Sequence, residues 1–197
     1  MAQIKSILCI LTCCTLMGCS AISTSEKPAL LEPVTCITPD LQANKPLLLT
    51  QNIHAKYQDV TDQSTLREVT FDAYLASNRR ELKLSVLFMG FRAWDITYNG
   101  EMIFEERTSQ VPQELQANYL LRDITLCYWP ASSIMRQSPK LLIVDQPHER
   151  LVKDQQSGEI LLSIRYLDNS GPDAPIGRLI LTNHKEHYQL SIDSREP

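Results

Sequence analysis

Glycine is scarce, six in 197 residues, and no Gly-x-Gly-x-x-Gly or Gly-x-x-x-x-Gly-Lys pattern occurs. Loops that cradle phosphate need glycines so that the backbone can approach the ligand, so dinucleotide and phosphate-loop chemistry are excluded. A cationic surplus is also missing: 19 Lys and Arg stand against 23 Asp and Glu, the wrong balance for a polyanion binder, and no nucleic-acid partner is expected. Neither Gly-x-Ser-x-Gly nor Cys-x-x-Cys is present, which removes the commonest hydrolase and redox signatures. Two of the four histidines fall close together, His184 and His187. Without a third ligand nearby they read as an exposed polar turn, so no metal and no catalytic residue is expected. Ser132-Ser133 is read with the same reserve. Past residue 17 no apolar run approaches the ~20 residues that a membrane-crossing helix needs.

The N-terminus is what stands out. Lys5 precedes an uncharged stretch from Ile7 to Met17, the length of a signal-peptide core and too short to remain as a span. It ends in Leu16-Met17-Gly18-Cys19, which resembles the lipobox of bacterial lipoproteins; Met17 departs from the small residue usual there. Residues 1–18 are therefore expected to be cleaved and Cys19 to carry the lipid, a diacylglycerol and an N-acyl chain such as palmitate. No further cofactor is expected. Ser20-Ala21 follow without an acid, as in lipoproteins sent to the outer membrane, so the expected location is its periplasmic face. Cleavage removes one Lys and no acid, leaving 18 cations against 23 anions, a formal charge of −5.

Cys9, Cys13 and Cys14 leave with the signal, so only Cys36 and Cys127 remain besides Cys19. In an oxidising compartment these two can pair, or stay as separate thiols; sequence supplies no distance. Residues 19–50 carry prolines at 28, 33, 39 and 46 and read as a lipidated N-terminus and tether. Residues 51–197 suffice for one domain with one core.

Within that domain the pattern is period two. Val69, Phe71, Ala73 and Leu75 alternate with polar residues, and Leu82, Leu84, Val86 and Phe88 follow beyond the turn Ser77-Asn78-Arg79-Arg80. Arg92 to Tyr98 and Glu101 to Thr108 flank Asn99-Gly100, a strong hairpin signal. The middle changes to three- and four-residue spacing, predicting a helix over 112–128 that Trp129-Pro130 ends, with a short second helix over 131–137. Strands resume at 141–144, 149–154, 159–167, 176–182 and 188–192. A strand block, a helical insertion and a second strand block suit an antiparallel sheet curled into a half-barrel, with the helices across its mouth.

The run Leu120-Leu121-Arg122-Asp123-Ile124-Thr125-Leu126-Cys127-Tyr128-Trp129-Pro130 resembles the signature of an uncharacterised family of bacterial lipoproteins, often encoded beside genes for aryl polyene pigment-lipid synthesis. Phe91 to Trp94, the Asn-Gly hairpin, Glu149-Arg150 and the stretch from Gly177 to Ile192 are similar too. That family in turn is similar to the outer-membrane lipoprotein receptor LolB and its carrier LolA, which implies a mainly β half-barrel with a helical lid over an apolar cavity. On that reading the cavity is lined by Val86, Phe88, Trp94, Ile96 and Phe104 from the sheet, with Ile103 as the alternative to Phe104 and Leu84 beside them. The lid contributes Leu121, Ile124, Tyr128 and Trp129. The same residues can instead pack on one another as a closed core. Arg122 and Asp123, charged within an apolar helix, need partners: they tie the lid to the sheet, or meet a lipid head group.

The expected function is binding of a hydrophobic lipid or acyl cargo and its transfer into the outer membrane, aryl polyene lipid being the sharpest cargo, with a periplasmic lipid or lipoprotein carrier as partner. The alternative is a non-catalytic assembly factor that binds biosynthetic or envelope proteins.

Overall fold

In the computed structural model the residues described are 37–43, 45–58, 65–111 and 115–197. Among them are ten strands: β1 Leu47–Gln58, β2 Leu66–Ser77, β3 Leu82–Phe88, β4 Phe91–Tyr98, β5 Ile103–Arg107, β6 Leu141–Gln146, β7 Glu149–Asp154, β8 Ile160–Tyr166, β9 Gly177–Asn183 and β10 Tyr188–Arg195. Two helices, α1 Ala117–Tyr128 and α2 Ala131–Gln137, lie between β5 and β6. No helix among the described residues is long and apolar enough to cross a membrane.

All ten strands form one open antiparallel sheet, ordered β5-β4-β3-β2-β1-β10-β9-β8-β7-β6. Each strand block is a meander, as the hairpin signals predict. The two meanders join because the first strand pairs with the last, from Thr50↔Arg195 to Tyr57↔Tyr188. The fold class is thus the expected one: mainly β, antiparallel, with helices inserted between two strand blocks.

Alternation along the strands sets one face inward. Leu49, Ile53 and Ala55 of β1, Ala73 and Leu75 of β2, Leu82 and Leu84 of β3, and Ile96 and Tyr98 of β4 are all buried, as are Leu162, Ile164, Leu179, Leu181 and Ile192 in the other block. In α1 and just beyond it, nine consecutive residues, Leu121 to Trp129, are buried. At 3.6 residues per turn nine residues cover every side of a helix, so this part of α1 is buried all round, in one core with side chains of the sheet, of α2 and of the segment before β1. Burying the apolar side chains of α1 is worth roughly 1.5–3 kcal/mol for each large one.

Two sequence-based expectations change. Strand β1 starts at Leu47, inside the stretch read as tether, and Ile37 and Leu41 are core residues, so the folded body reaches back beyond residue 51. The alternation of β1 is masked because Gln51 takes a core-facing position, where its amide donates to Tyr128 Oη (2.8 Å) and Ser194 Oγ (3.0 Å). Helix α1 begins at Ala117, with Gln116 extended and giving no side-chain cap; residues 112–114 lie outside the described residues.

Candidate functional site

The motif-bearing helix is held by buried polar groups near its middle and at its C-terminal end. Near its middle, Arg122 Nε donates to Asp123 Oδ1 (2.8 Å), while Nη1 and Nη2 donate to the two oxygens of Glu186 in the β9–β10 turn (2.8 and 3.0 Å). Tyr188 Oη accepts from Arg122 Nη2 (2.6 Å) and donates to Asp123 Oδ2 (2.5 Å). Burial disfavours the Arg122 charge, but Asp123, Tyr188 and Glu186 outweigh it and raise its pKa. Burial likewise raises the Asp123 pKa, with Arg122 opposing. Such a cluster is tolerated because each charge meets an opposite charge or a donor. Of the two roles weighed for Arg122, the geometry is that of a tie between helix and sheet.

At the C-terminal end Arg150 of β7, fully buried, donates from Nη1 to the carbonyls of Leu126 (2.7 Å) and Trp129 (2.8 Å) and pairs with Asp145 (2.6 Å). These are carbonyls that the helix end leaves without an intrahelical partner, and a guanidinium there also complements the helix dipole. Tyr166 Oη donates to the Cys127 carbonyl (2.9 Å), and Trp129 Nε1 to the Asp40 carbonyl (2.8 Å). The Leu120–Pro130 signature is therefore a packing motif, each polar residue of which has a structural partner. Cys127 is buried, and burial raises its thiol pKa. Cys36 lies outside the described residues, as does Cys19.

Of the nine cavity candidates, Trp94, Ile96, Leu121, Ile124, Tyr128 and Trp129 are buried in this closed core. Phe104 is a correction. It pairs with Thr97, while Ile103 pairs with the buried Tyr98, so Phe104 points from the opposite face, 52% exposed. The Asn99-Gly100 turn, closed by Asn99 N–H to the Met102 carbonyl (3.3 Å), fixes that register, and a slip of one residue exchanges the faces.

Val86 and Phe88 are placed differently, and they locate the candidate site. On the inward face the strand residues beyond Ala73 and Trp94 are only partly covered. Phe71 and Val86 pack against the core while remaining half-buried, and Val69 is half-buried as well. An irregularity in the β3–β4 pairing beside Val86 brings Phe88 opposite Phe91 on this same face, and Phe91 is 73% exposed. Met89 (φ +51°) and Gly90 (φ +80°) form the left-handed tip between them, a tight hairpin turn, with Met89 82% exposed. Leu115, just before α1, is also exposed. Three of the chain's four phenylalanines thus share one patch, at the end of the sheet where α1 begins. Its border on β5 is Arg107, which lies over the Trp94 ring (4.5 Å) and donates to the Leu115 carbonyl (2.5 Å). Phe91 was legible only as part of a resemblance; the exposed β3–β4 tip gives no signal in period or motif.

Among the described residues, the side chains weighed for chemistry sit in local contacts. His184 Nε2 is 3.1 Å from Ser163 Oγ, His187 occupies a left-handed turn position (φ +53°), and Ser133 is bonded to Asp40 (3.2 Å). No group of three His, Cys, Asp or Glu among the described residues could hold a metal ion. Two cavities, of about 430 and 340 Å³, are lined by none of the candidate residues; the larger is bounded by Leu48, Pro175, Ile176 and Pro197, the smaller by Asp40, Arg79 and Asn99.

Comparison with known proteins gives one family match: a model described as a protein of unknown function (DUF3261) covers residues 48–196. No curated protein matches the chain by sequence. Among solved structures, the chain is similar to a domain described as that of an outer-membrane lipoprotein-sorting protein from Vibrio parahaemolyticus, at 7% identity and TM-score 0.35, covering 76% of this chain and 83% of that one. It is also similar to a DUF1329 family protein from Desulfovibrio piger, at 6% identity and TM-score 0.33, covering 78% and 86%. TM-scores this low assign neither a site nor a ligand to this chain.

Proposed function

This chain belongs to the DUF3261 family, and we propose that it is a non-catalytic envelope lipoprotein that holds a hydrophobic chain on the phenylalanine patch and helps pass it into the outer membrane. The observation that carries the reading is the convergence of Phe71, Phe88 and Phe91 on one incompletely covered, inward-facing surface. Contiguous exposed aromatic surface is costly in water and marks a place where apolar matter docks. Burial supplies roughly 0.8 kcal/mol per methylene, enough for micromolar retention of a chain of ordinary length after ordering costs. The same tip, Phe88 to Phe91, is the part best suited to meet a bilayer. The lipobox supports an anchor at Cys19, and the resemblance supports aryl polyene lipid as the cargo.

Native mass spectrometry of the mature chain carrying Cys19→Ser tests this, together with titration by N-phenyl-1-naphthylamine. Retained lipid and micromolar uptake of the probe, both reduced in Phe88→Ser/Phe91→Ser, are expected. A chain that arrives without lipid and takes up no probe refutes it. One feature favours the assembly-factor reading: β6, Leu141–Gln146, closes the sheet with four successive apolar residues and has no strand on its outer side among the described residues, an edge that can accept another strand.

A further inference from the structure

We infer that α1 is a fixed plug rather than a lid, and that cargo is loaded and released across the open phenylalanine patch without α1 leaving the sheet. This rests on the binding reading above and specifies how that site works. A lid must separate from what it covers at small cost. Here separation would strip water-excluding contacts from nine successive buried residues, Leu121 to Trp129. It would also break the two guanidinium ties, Arg122 to Glu186 and Arg150 to the Leu126 and Trp129 carbonyls. A third tie joins strands and helix at the centre of the sheet, where Tyr128 Oη accepts from Gln51 (2.8 Å) and lies 3.1 Å from Ser194 Oγ. Leaving any of these buried groups unpaired is strongly unfavourable.

The patch needs no such opening. Phe88, Met89 and Phe91 are already exposed, and Phe71 and Val86 lie behind them on the same face. A chain settling there covers surface that is presently in water and is released when a bilayer offers more cover. The ligand class that fits is one held along one side, with the other side free for a membrane or a second protein. An enclosed cavity would instead have to swallow the chain whole.

Amide hydrogen exchange on the mature Cys19→Ser chain, with and without N-phenyl-1-naphthylamine at ten times its Kd, separates the two. A plug puts the amides of 121–128 in the same slow class as the central strands β1 and β10, and the probe slows both by the same factor. The patch amides of 69–73 and 84–94 slow by up to about tenfold. Faster exchange of α1 than of β1 and β10, slowed selectively by the probe, overturns the inference. Slow α1 with no response at the patch refutes the binding site while leaving α1 immobile, so the two failures are distinct. Tyr166→Phe, which removes one tie while keeping the ring, is expected to speed α1 exchange without raising probe affinity; a tenfold gain in affinity would show that opening admits cargo and overturn the plug.

Discussion

The two ends of the inward face are built from the same alternation and come to opposite uses. Where α1 fills the concavity, Trp94, Ile96, Leu121, Tyr128 and Trp129 are each under 6% exposed. At the β3–β4 tip, three residues before Trp94 on β4 and two past Val86 on β3, Phe91 and Phe88 are 73% and 38% exposed. Nothing in side-chain type separates the groups, since both are large and apolar. What separates them is the reach of a twelve-residue helix under strands that continue past it. An inward-facing apolar residue becomes core or candidate site according to whether α1 arrives over it.

The contrast predicts a descending series of effects. Trp129→Ala, in the covered end, leaves a hole beneath the helix end and removes the bond to the Asp40 carbonyl. A loss of about 3–5 kcal/mol in chemical denaturation is expected, and a loss under 1 kcal/mol would mean that this end is not closed. Arg122→Met strands Asp123 and Glu186 without their guanidinium and should cost about 3 kcal/mol. Adding Asp123→Asn should recover part of it, because the buried carboxylate is the uncompensated charge. Phe91→Ser, in the open end, should change stability by no more than about 0.5 kcal/mol while weakening probe binding about tenfold. Equal effects on folding and binding would erase the distinction between the ends.

The smallest effect lies outside both. Backbone N–H donors of Ser157 and Gln156, with the Ser157 hydroxyl, hold the exposed Asp154 carboxyl below its ordinary pKa. A carboxyl depressed in the folded state adds stability above its unfolded pKa and loses it as pH falls through the folded one. In an NMR titration the Ser157 and Gln156 amides should therefore shift only below the usual carboxylate range, and Asp154→Asn should remove that transition.

Much of the framework was legible. Period two and the Asn99-Gly100 signal located β2 to β5, and β7 to β10 were bracketed by their turns, because half-buried strands write their exposure into the chain. Strand β1 was not, since Gln51 occupies an inward position and is made tolerable only by Tyr128 and Ser194, far away in sequence. Phe104 was assigned to the wrong face because an unpaired strand offers two parities and only the β4 register chooses. Arg122 could be recognised as needing a partner, yet Glu186 and Tyr188 could not be named, being 64 and 66 residues distant. Arg150 gave no signal of its own, because a guanidinium that serves helix carbonyls looks in sequence like any strand-surface cation.

By itself the sequence carried the lipobox-like run Leu16–Cys19, lacked phosphate loops and the commonest hydrolase and redox signatures, and set the order strands, helices, strands, since these depend on local spacing and composition. The tertiary structure alone decided that the first and last strands pair, that α1 is buried all round from Leu121 onward, and that Phe71, Phe88 and Phe91 share a surface. Those outcomes depend on which residues meet across the fold, and a linear chain does not record where a helix will stop covering a strand.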